Sequence, residues 1–418
     1  MTDDAFLHIE SSIGARRWVG PSEQVERLGA AIAQTHDLPE IVGRILAARN
    51  VALDDAPAYL APTLKDLLPD PSTLADMDKA AEMLVAMVGT KKRIAIFGDY
   101  DVDGGASSAL LVDWLRELGV VATVYIPDRI DEGYGPNDEA MAGLAAAHDL
   151  IICVDCGTLS HGPVAAAVGA GAEVIIADHH MAGETLPVCA AVVNPNRHDD
   201  DSGMGQLCAA GVVFMLLVAA NRLLRASGAT PPDLMRALDL VALATVAGVA
   251  PLIGVNRAFV RQGLKIMADR NRPGLRALAD VAGVAATPNS FHLGYLLGPR
   301  VNAGGRIGKA DLGARLLSTT SVEEASGIAH ELDRLNGERR AIEAEVQAQA
   351  MEQAEERGVD GPLVWAAGDG WHPGVVGIVA ARLKEAFNRP AVVIGLDGEI
   401  GKGSARSVEG VDLGAAVA

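Results

Sequence analysis

The sequence predicts an α/β protein: a doubly wound parallel sheet joined by a long helix to a smaller α/β unit. Two observations carry this. From Arg93 onward, short apolar runs (RIAIFG, VATVYIP, DLIICVD, AEVIIAD) alternate with amphipathic segments near 138–147 and 161–170, the signature of parallel strands covered by helices on both faces. Farther on, the stretch from Ser321 to Arg357 is charged and nearly free of helix breakers. It reads as a connector helix, and a second strand–helix–strand pattern follows it in GPLVWAAG, GVVGIVAARLKEAF and PAVVIGL.

Residues 1–85 read as a helical N-terminal segment with proline breaks such as LAPTLKDLLPDPST. Residues 86–320 carry the sheet and then apolar helices over 206–226 and 233–247; 321–357 form the connector and 358–418 the second unit. A chain of 418 residues, half of them hydrophobic, exceeds one ordinary core. No apolar run is long and uninterrupted enough to require a membrane, and the start MTDDAFLHIESS lacks the pattern of a signal peptide, so the expected location is the cytoplasm. The four cysteines are too few for a disulfide scaffold. Cys153 and Cys156 form a C-x-x-C, yet Cys153 lies inside an apolar run and no second close pair completes a zinc site. Core thiols are expected. The net charge of −19 argues against a broad basic surface for nucleic acid, while leaving room for arginines along one groove.

The segment RIAIFGDYDVDGGASSAL places Asp99, Asp101 and Asp103 at alternate positions after an apolar run. On an extended chain they share one side, a crowding of like charge that a cation relieves. The glycines that follow permit a tight turn into a helix whose free N–H groups can receive an anion. Ligands of parallel sheets gather at the carboxyl ends of strands. Asp155, after DLIICV, and Asp178, His179 and His180, after AEVIIA, should therefore meet the three aspartates in one crevice. Hard oxygen donors with imidazole suit Mn²⁺ or Mg²⁺, and a pair of such ions sharing a carboxylate stabilises a phosphoryl transition state. Asp155 is the natural bridge, Asp101 and Asp103 reach one ion each, His179 ligates, and His180 orients or protonates a group on the substrate. The expected reaction class is metal-assisted phosphoester hydrolysis. Acidic residues in place of G-x-G-x-x-G after the first strand speak against a dinucleotide-dependent oxidoreductase.

The segments GDYDVDG, VDCGT and ADHH resemble the first three motifs of the DHH phosphoesterase superfamily, and LGPRVNAGGR, WHPGVVGIVAARL and GKGSARS are similar to segments of its RecJ branch. The resemblance runs from about Ile94 to the last residue. It implies a DHH domain followed by a DHH-associated substrate-binding domain, and a Mn²⁺- or Mg²⁺-dependent exonuclease degrading single-stranded DNA 5′ to 3′ in recombination and repair. It supports Asp99, Asp101, Asp103, Asp155, His179 and His180 as metal and catalytic residues. It also assigns Arg129, Arg306, His372, Ser404 and Arg406 to the DNA backbone and its 5′ phosphate. A monomer is expected, with a single-strand-binding protein or a helicase as partner. RecJ proteins usually continue into an oligonucleotide-binding barrel; this chain ends before one, and residues 358–418 are expected to be an incomplete substrate-binding domain. One departure stands out: the fourth motif of the family supplies a metal-ligating Asp, and LATVAGVAPL has Gly248 there.

Two other readings stand beside the exonuclease. One keeps the fold and takes short oligonucleotides or cyclic dinucleotides, which substrate-length dependence would distinguish. The other, motivated by Gly248, is an inactive single-stranded-DNA-binding protein, which would bind without metal-dependent turnover.

Overall fold

The computed structural model describes residues 5–13, 16–129 and 132–417. The chain forms two compact units, one of residues up to Pro69 together with Leu252–Ala258, the other of Asp70–Pro251 with Phe259–Ala418. In the first, helices α1 (Glu23–Thr35) and α2 (Glu40–Ala48) bury Ile32, Leu46 and Ala47 against each other. They cross at glycines: a Cβ on Gly43 would fall 2.2 Å from the Gly29 carbonyl oxygen. Arg257 lies 3.7 Å over the Tyr59 ring and donates to the Tyr59 carbonyl at 2.8 Å, which ties the returning segment to this unit.

The second unit is built on a sheet of β1 (Ile94–Gly98), β2 (Thr123–Tyr125), β3 (Leu150–Val154), β4 (Glu173–Ala177) and β5 (Ala191–Val193). All pairs are parallel and the order is β2-β1-β3-β4-β5. β1 and β3 are buried on both faces, which is why their sequences are unbroken apolar runs. β5 is not among the strands read from the sequence; three residues are too short for a periodicity signal. Helices α3 (Met77–Gly89), α4 (Val102–Glu117), α5 (Asp138–Ala147), α6 (His161–Gly169), α7 (Ala209–Ala226) and α8 (Leu238–Ala247) follow in the same unit. α4 packs on β1 and β3, α7 on β4 and α3 on β5. The other face buries Phe97, Ile151, Cys153 and Ile176 under Met141, Leu144, Val164 and Ala167 of α5 and α6. The sheet is doubly wound, and its strand order reverses between β1 and β3, the place where such folds bind ligands.

Cys153, Cys156 and Cys208 are buried free thiols whose pKa burial raises, so they serve as core residues. Among the described residues one helix, α7, has the length and hydropathy of a membrane span, and 72% of it is buried inside the protein.

A π-helical segment, His292–Leu297, runs directly into α9 (Gly298–Ile307). Helix α10 (Val322–Arg357) starts where Ser321 accepts from the Glu324 N–H and stops at Gly358, φ 87°. Its C-terminal half packs Val346, Ala350 and Ala354 against Val375, Val379 and Leu383 of α11 (Pro373–Phe387). These in turn cover a three-stranded sheet of β6 (Val364–Asp369), β7 (Ala391–Asp397) and β8 (Ile400–Arg406), with β7–β8 antiparallel.

Candidate metal centre

Asp99 follows β1 directly, and the chain then turns into α4 earlier than alternate spacing on an extended strand would allow. Asp101 is the reason: as N-cap its carboxylate accepts from the Asp103 and Gly104 N–H groups at 2.8 and 3.1 Å. Gly104 lets this first turn lie on the strand end, since a Cβ there would sit 2.4 Å from the Asp99 carbonyl oxygen. Asp103, now inside the helix, is buried and receives the Ala209 and Ala210 N–H groups at the start of α7, both at 2.8 Å. Asp155 ends β3 in a left-handed conformation, φ 60°. His179 Nε2 stands 3.3 Å from Asp155 Oδ1 and 3.6 Å from Asp103 Oδ2.

His180 is oriented by its neighbour. Asp178, also buried, accepts from the His179 and His180 N–H groups at 2.7 and 3.2 Å and holds His180 Nδ1 at 2.8 Å. Its other oxygen takes the Thr158 N–H. These bonds hold Asp178 well below the usual carboxylate range despite burial, and Asp178 raises the pKa of His180. The remaining ring nitrogen, Nε2, faces the Tyr134 hydroxyl at 3.3 Å. Asn194 and Asn196 bind the His180 and His179 carbonyls at 2.8 and 2.6 Å and fix this loop.

Ligand atoms of Asp99, Asp101 and Asp155 lie within 4.8 Å of one another, as do those of Asp155, His179 and His180. Asp155 belongs to both sets. One oxygen each of Asp99 and Asp155 is buried without a hydrogen-bond partner, a costly state for a carboxylate. Burial and the Asp101 charge push Asp99 up to about 8, and burial together with the other aspartates raises Asp155 well above its ordinary range. Asp103 is raised as well, chiefly by burial. Divalent cations relieve both penalties, and a donor set of carboxylates with imidazole fits Mn²⁺ or Mg²⁺.

Of the expected substrate residues, Arg129 and Arg306 lie near the aspartate turn, and His372, Ser404 and Arg406 stand around α11. Arg129 lies 5.3 Å from the Tyr100 ring centroid. Arg306, half-buried, donates to the Gly374 carbonyl at 3.1 Å in the first turn of α11. Its pKa is lowered by burial and then by Arg129 and Arg339, and among the described residues no ion pair neutralises Arg306, Arg129 or Arg406. His372 caps α11 by accepting the Gly374 N–H at 3.0 Å; burial and Arg129 lower its pKa. One turn along that helix, a Cβ on Gly377 would meet the Ser404 Oγ and Arg406 Nη2, both at 3.1 Å, and Arg406 donates to Ser404 at 2.9 Å. The aspartate and arginine-rich sets are thus linked through Tyr100, Arg129, Arg306 and the first turn of α11.

The DHH family, N-terminal domain, matches residues 93–245, and the DHHA1 domain matches residues 360–418. The single-stranded-DNA-specific exonuclease RecJ of Dickeya dadantii is 40% identical over 406 residues, covering 93% of this chain and 70% of that protein. The chain belongs to the RecJ family. Two RecJ structures agree. A crystal structure of exonuclease RecJ bound to manganese is 35% identical with a TM-score of 0.73, over 82% of this chain and 85% of that one. RecJ of Thermus thermophilus in complex with Mn²⁺ is 32% identical with a TM-score of 0.78, over 94% of this chain and 55% of that one.

The position at which the sequence resemblance leads one to expect a metal-ligating Asp, Gly248, lies at the end of α8. Gly248 is its C-cap, exposed, with φ −78° and its N–H on the Ala244 carbonyl at 2.8 Å. Thr245, one turn earlier, touches Cys208 at 3.6 Å, and the next two residues, Ala209 and Ala210, hold Asp103.

Sequence reasoning gave no role to Asp178 beyond its place at the strand end, and it passed over Tyr134, Asn194, Asn196 and Asn302. Asn302 accepts the Val102 N–H at 3.0 Å and pins the aspartate turn to α9. An Asn in NAGGR and two in VVNPN were visible, but nothing in one sequence says which backbone groups they satisfy.

Proposed function

We propose that this RecJ-family chain hydrolyses single-stranded DNA from a 5′-phosphorylated end, using Mn²⁺ or Mg²⁺ held by Asp99, Asp101, Asp103, Asp155 and His179. The observation that carries this reading is Asp155: buried at the switch point of the sheet, with an unsatisfied oxygen, it is shared by both candidate ligand sets. When bound there, the metal neutralises charge on the phosphoryl oxygens and lowers the pKa of water. The protein's own groups do the rest. Arg129, Arg306, His372, Ser404 and Arg406 grip the terminal phosphate, whose extra charge and free oxygens an internal diester lacks. His180, kept basic and in register by Asp178, gives its proton to the 3′-oxygen as the P–O bond breaks. The shortened strand then carries a new 5′ phosphate, so each turnover regenerates the end that these arginines bind.

The chain is read as a monomer of the cytoplasm that meets its strand through a helicase or a single-strand-binding protein. Gly248 favours a second reading, a strand-binding relative with little or no turnover. A time course on single strands labelled at either end tests both. Mononucleotides released from 5′-phosphorylated ends, with a hairpin duplex resisting, is the expected result; equal rates on 5′-blocked strands would overturn the polarity.

A further inference from the structure

Phe291 and Tyr295 are 57% and 73% exposed and stack on each other, ring centroids 5.1 Å apart at 24°. Tyr295 stands on the π-helical segment, an irregularity common at functional sites, and Phe291 caps its start. That segment lies on the end of α8: a Cβ on Gly294 would be 3.4 Å from Val246 Cγ1, and one on Gly298 2.8 Å from the Ala247 Cβ. Two residues beyond Ala247, Val249 is 86% exposed and left-handed at φ 58°. A β-branched residue in that conformation is an outlier of the sort that clusters at ligand contacts.

The same helix continues through Asn302, which holds the aspartate turn, to Arg306, which meets α11. At about 1.5 Å per residue, Tyr295 and Phe291 lie roughly 16 and 22 Å along the axis from Arg306. At a stacked spacing of about 3.4 Å per nucleotide, that is on the order of five to seven nucleotides from the terminal-phosphate end. Aromatic faces accept any base, and they need no cation, an advantage on a chain of net charge −19.

We propose that Phe291 and Tyr295, flanked by Val249, form a stacking platform for the bases of a single strand several nucleotides inside its bound end. The proposal rests on the single-stranded-DNA reading above. The platform makes affinity depend on length: strands too short to reach it bind through the end alone, and longer ones gain the stack.

The test measures binding of the full chain to 5′-phosphorylated oligonucleotides by fluorescence anisotropy in EDTA, where no strand is cut. F291A/Y295A should raise Kd for a 15-mer at least 10-fold and leave a 4-mer unchanged, while Tyr295→Phe keeps wild-type affinity. In the wild type, abasic residues at nucleotides 5–8 of the 15-mer should cost a similar factor and add nothing in F291A/Y295A, the non-additivity expected of one shared contact. Equal 15-mer affinity in F291A/Y295A and wild type would overturn the platform, as would an equal loss at both lengths. Wild-type protein that binds no single strand of any length would overturn the reading beneath it.

Discussion

Gly248→Asp supplies the carboxylate that the sequence resemblance leads one to expect there, and the structure sets what it should do without metal. At φ −78° the backbone suits any residue, and an added Cβ meets only the Ala244 carbonyl oxygen, at 3.0 Å. Replacing a glycine at a compatible position stabilises by about 0.4–1 kcal/mol through the unfolded chain. An acidic group at a helix C-terminus costs about 0.3–1 kcal/mol. The two offset, so metal-free stability should move by less than about 1 kcal/mol. Mn²⁺ changes the balance. Partners that merely orient metal ligands are worth about 10–100-fold in affinity, so a direct ligand should be worth at least that, or about 1.4–2.7 kcal/mol. Calorimetric titration should give one strong and one weak ion in the wild type and two strong ions in Gly248→Asp. A nuclease titration should show slow wild-type turnover only at elevated Mn²⁺, fast turnover in Gly248→Asp, and none in Asp155→Ala. Identical Mn²⁺ isotherms for wild type and Gly248→Asp, with fast wild-type turnover at low Mn²⁺, would refute the argument, because another group would then have taken the ligand's place.

Three further outcomes follow from the same geometry. Arg406→Ala should weaken binding of 5′-phosphorylated ends by about 1.5–3 kcal/mol, the worth of one charge-assisted hydrogen bond, while affinity for 5′-hydroxyl strands hardly moves; paired Kd measurements check this. Asp178→Asn keeps the shape but weakens the bond that orients His180, so kcat should fall about 10–100-fold with KM little changed and the pH–rate profile shifted to lower pH. Asp99, raised to about 8, and the raised Asp103 and Asp155 hold protons in the folded protein that the unfolded chain releases near pH 4. Metal-free stability should therefore be greatest below pH 4 as far as these groups act, and fall as pH rises toward 8. Since Mn²⁺ needs the ionised carboxylates, its Tm increment should be larger at pH 8 than at pH 6, and scanning fluorimetry at the two values decides it.

How far the chain was legible varies by element. β1 and β3 were plain because burial on both faces leaves no polar position in them, and the aspartates and histidines stood out as charges at apolar strand ends. β5 was invisible, since Ala191–Val193 offers one and a half periods of a two-residue pattern. The π segment was hidden for another reason: it lies where Gly294 and Gly298 approach α8, a tertiary contact that no local pattern announces. At the centre, alternate aspartates suggested one shared side, whereas Asp101 starts the helix and sends Asp103 to the N-terminus of α7. Local capping competed with strand geometry and won. The arginines were legible only by resemblance, because a lone Arg in sequence carries no sign of whether a carboxylate will neutralise it.

Anomalous diffraction at the manganese edge from Mn²⁺-soaked crystals locates the ions themselves. A strong peak is expected among Asp99, Asp101 and Asp155 and a weaker one beside Asp103, Asp155 and His179, both lost in Asp155→Ala. Peaks elsewhere, or none at Asp155 at millimolar Mn²⁺, would contradict this placement.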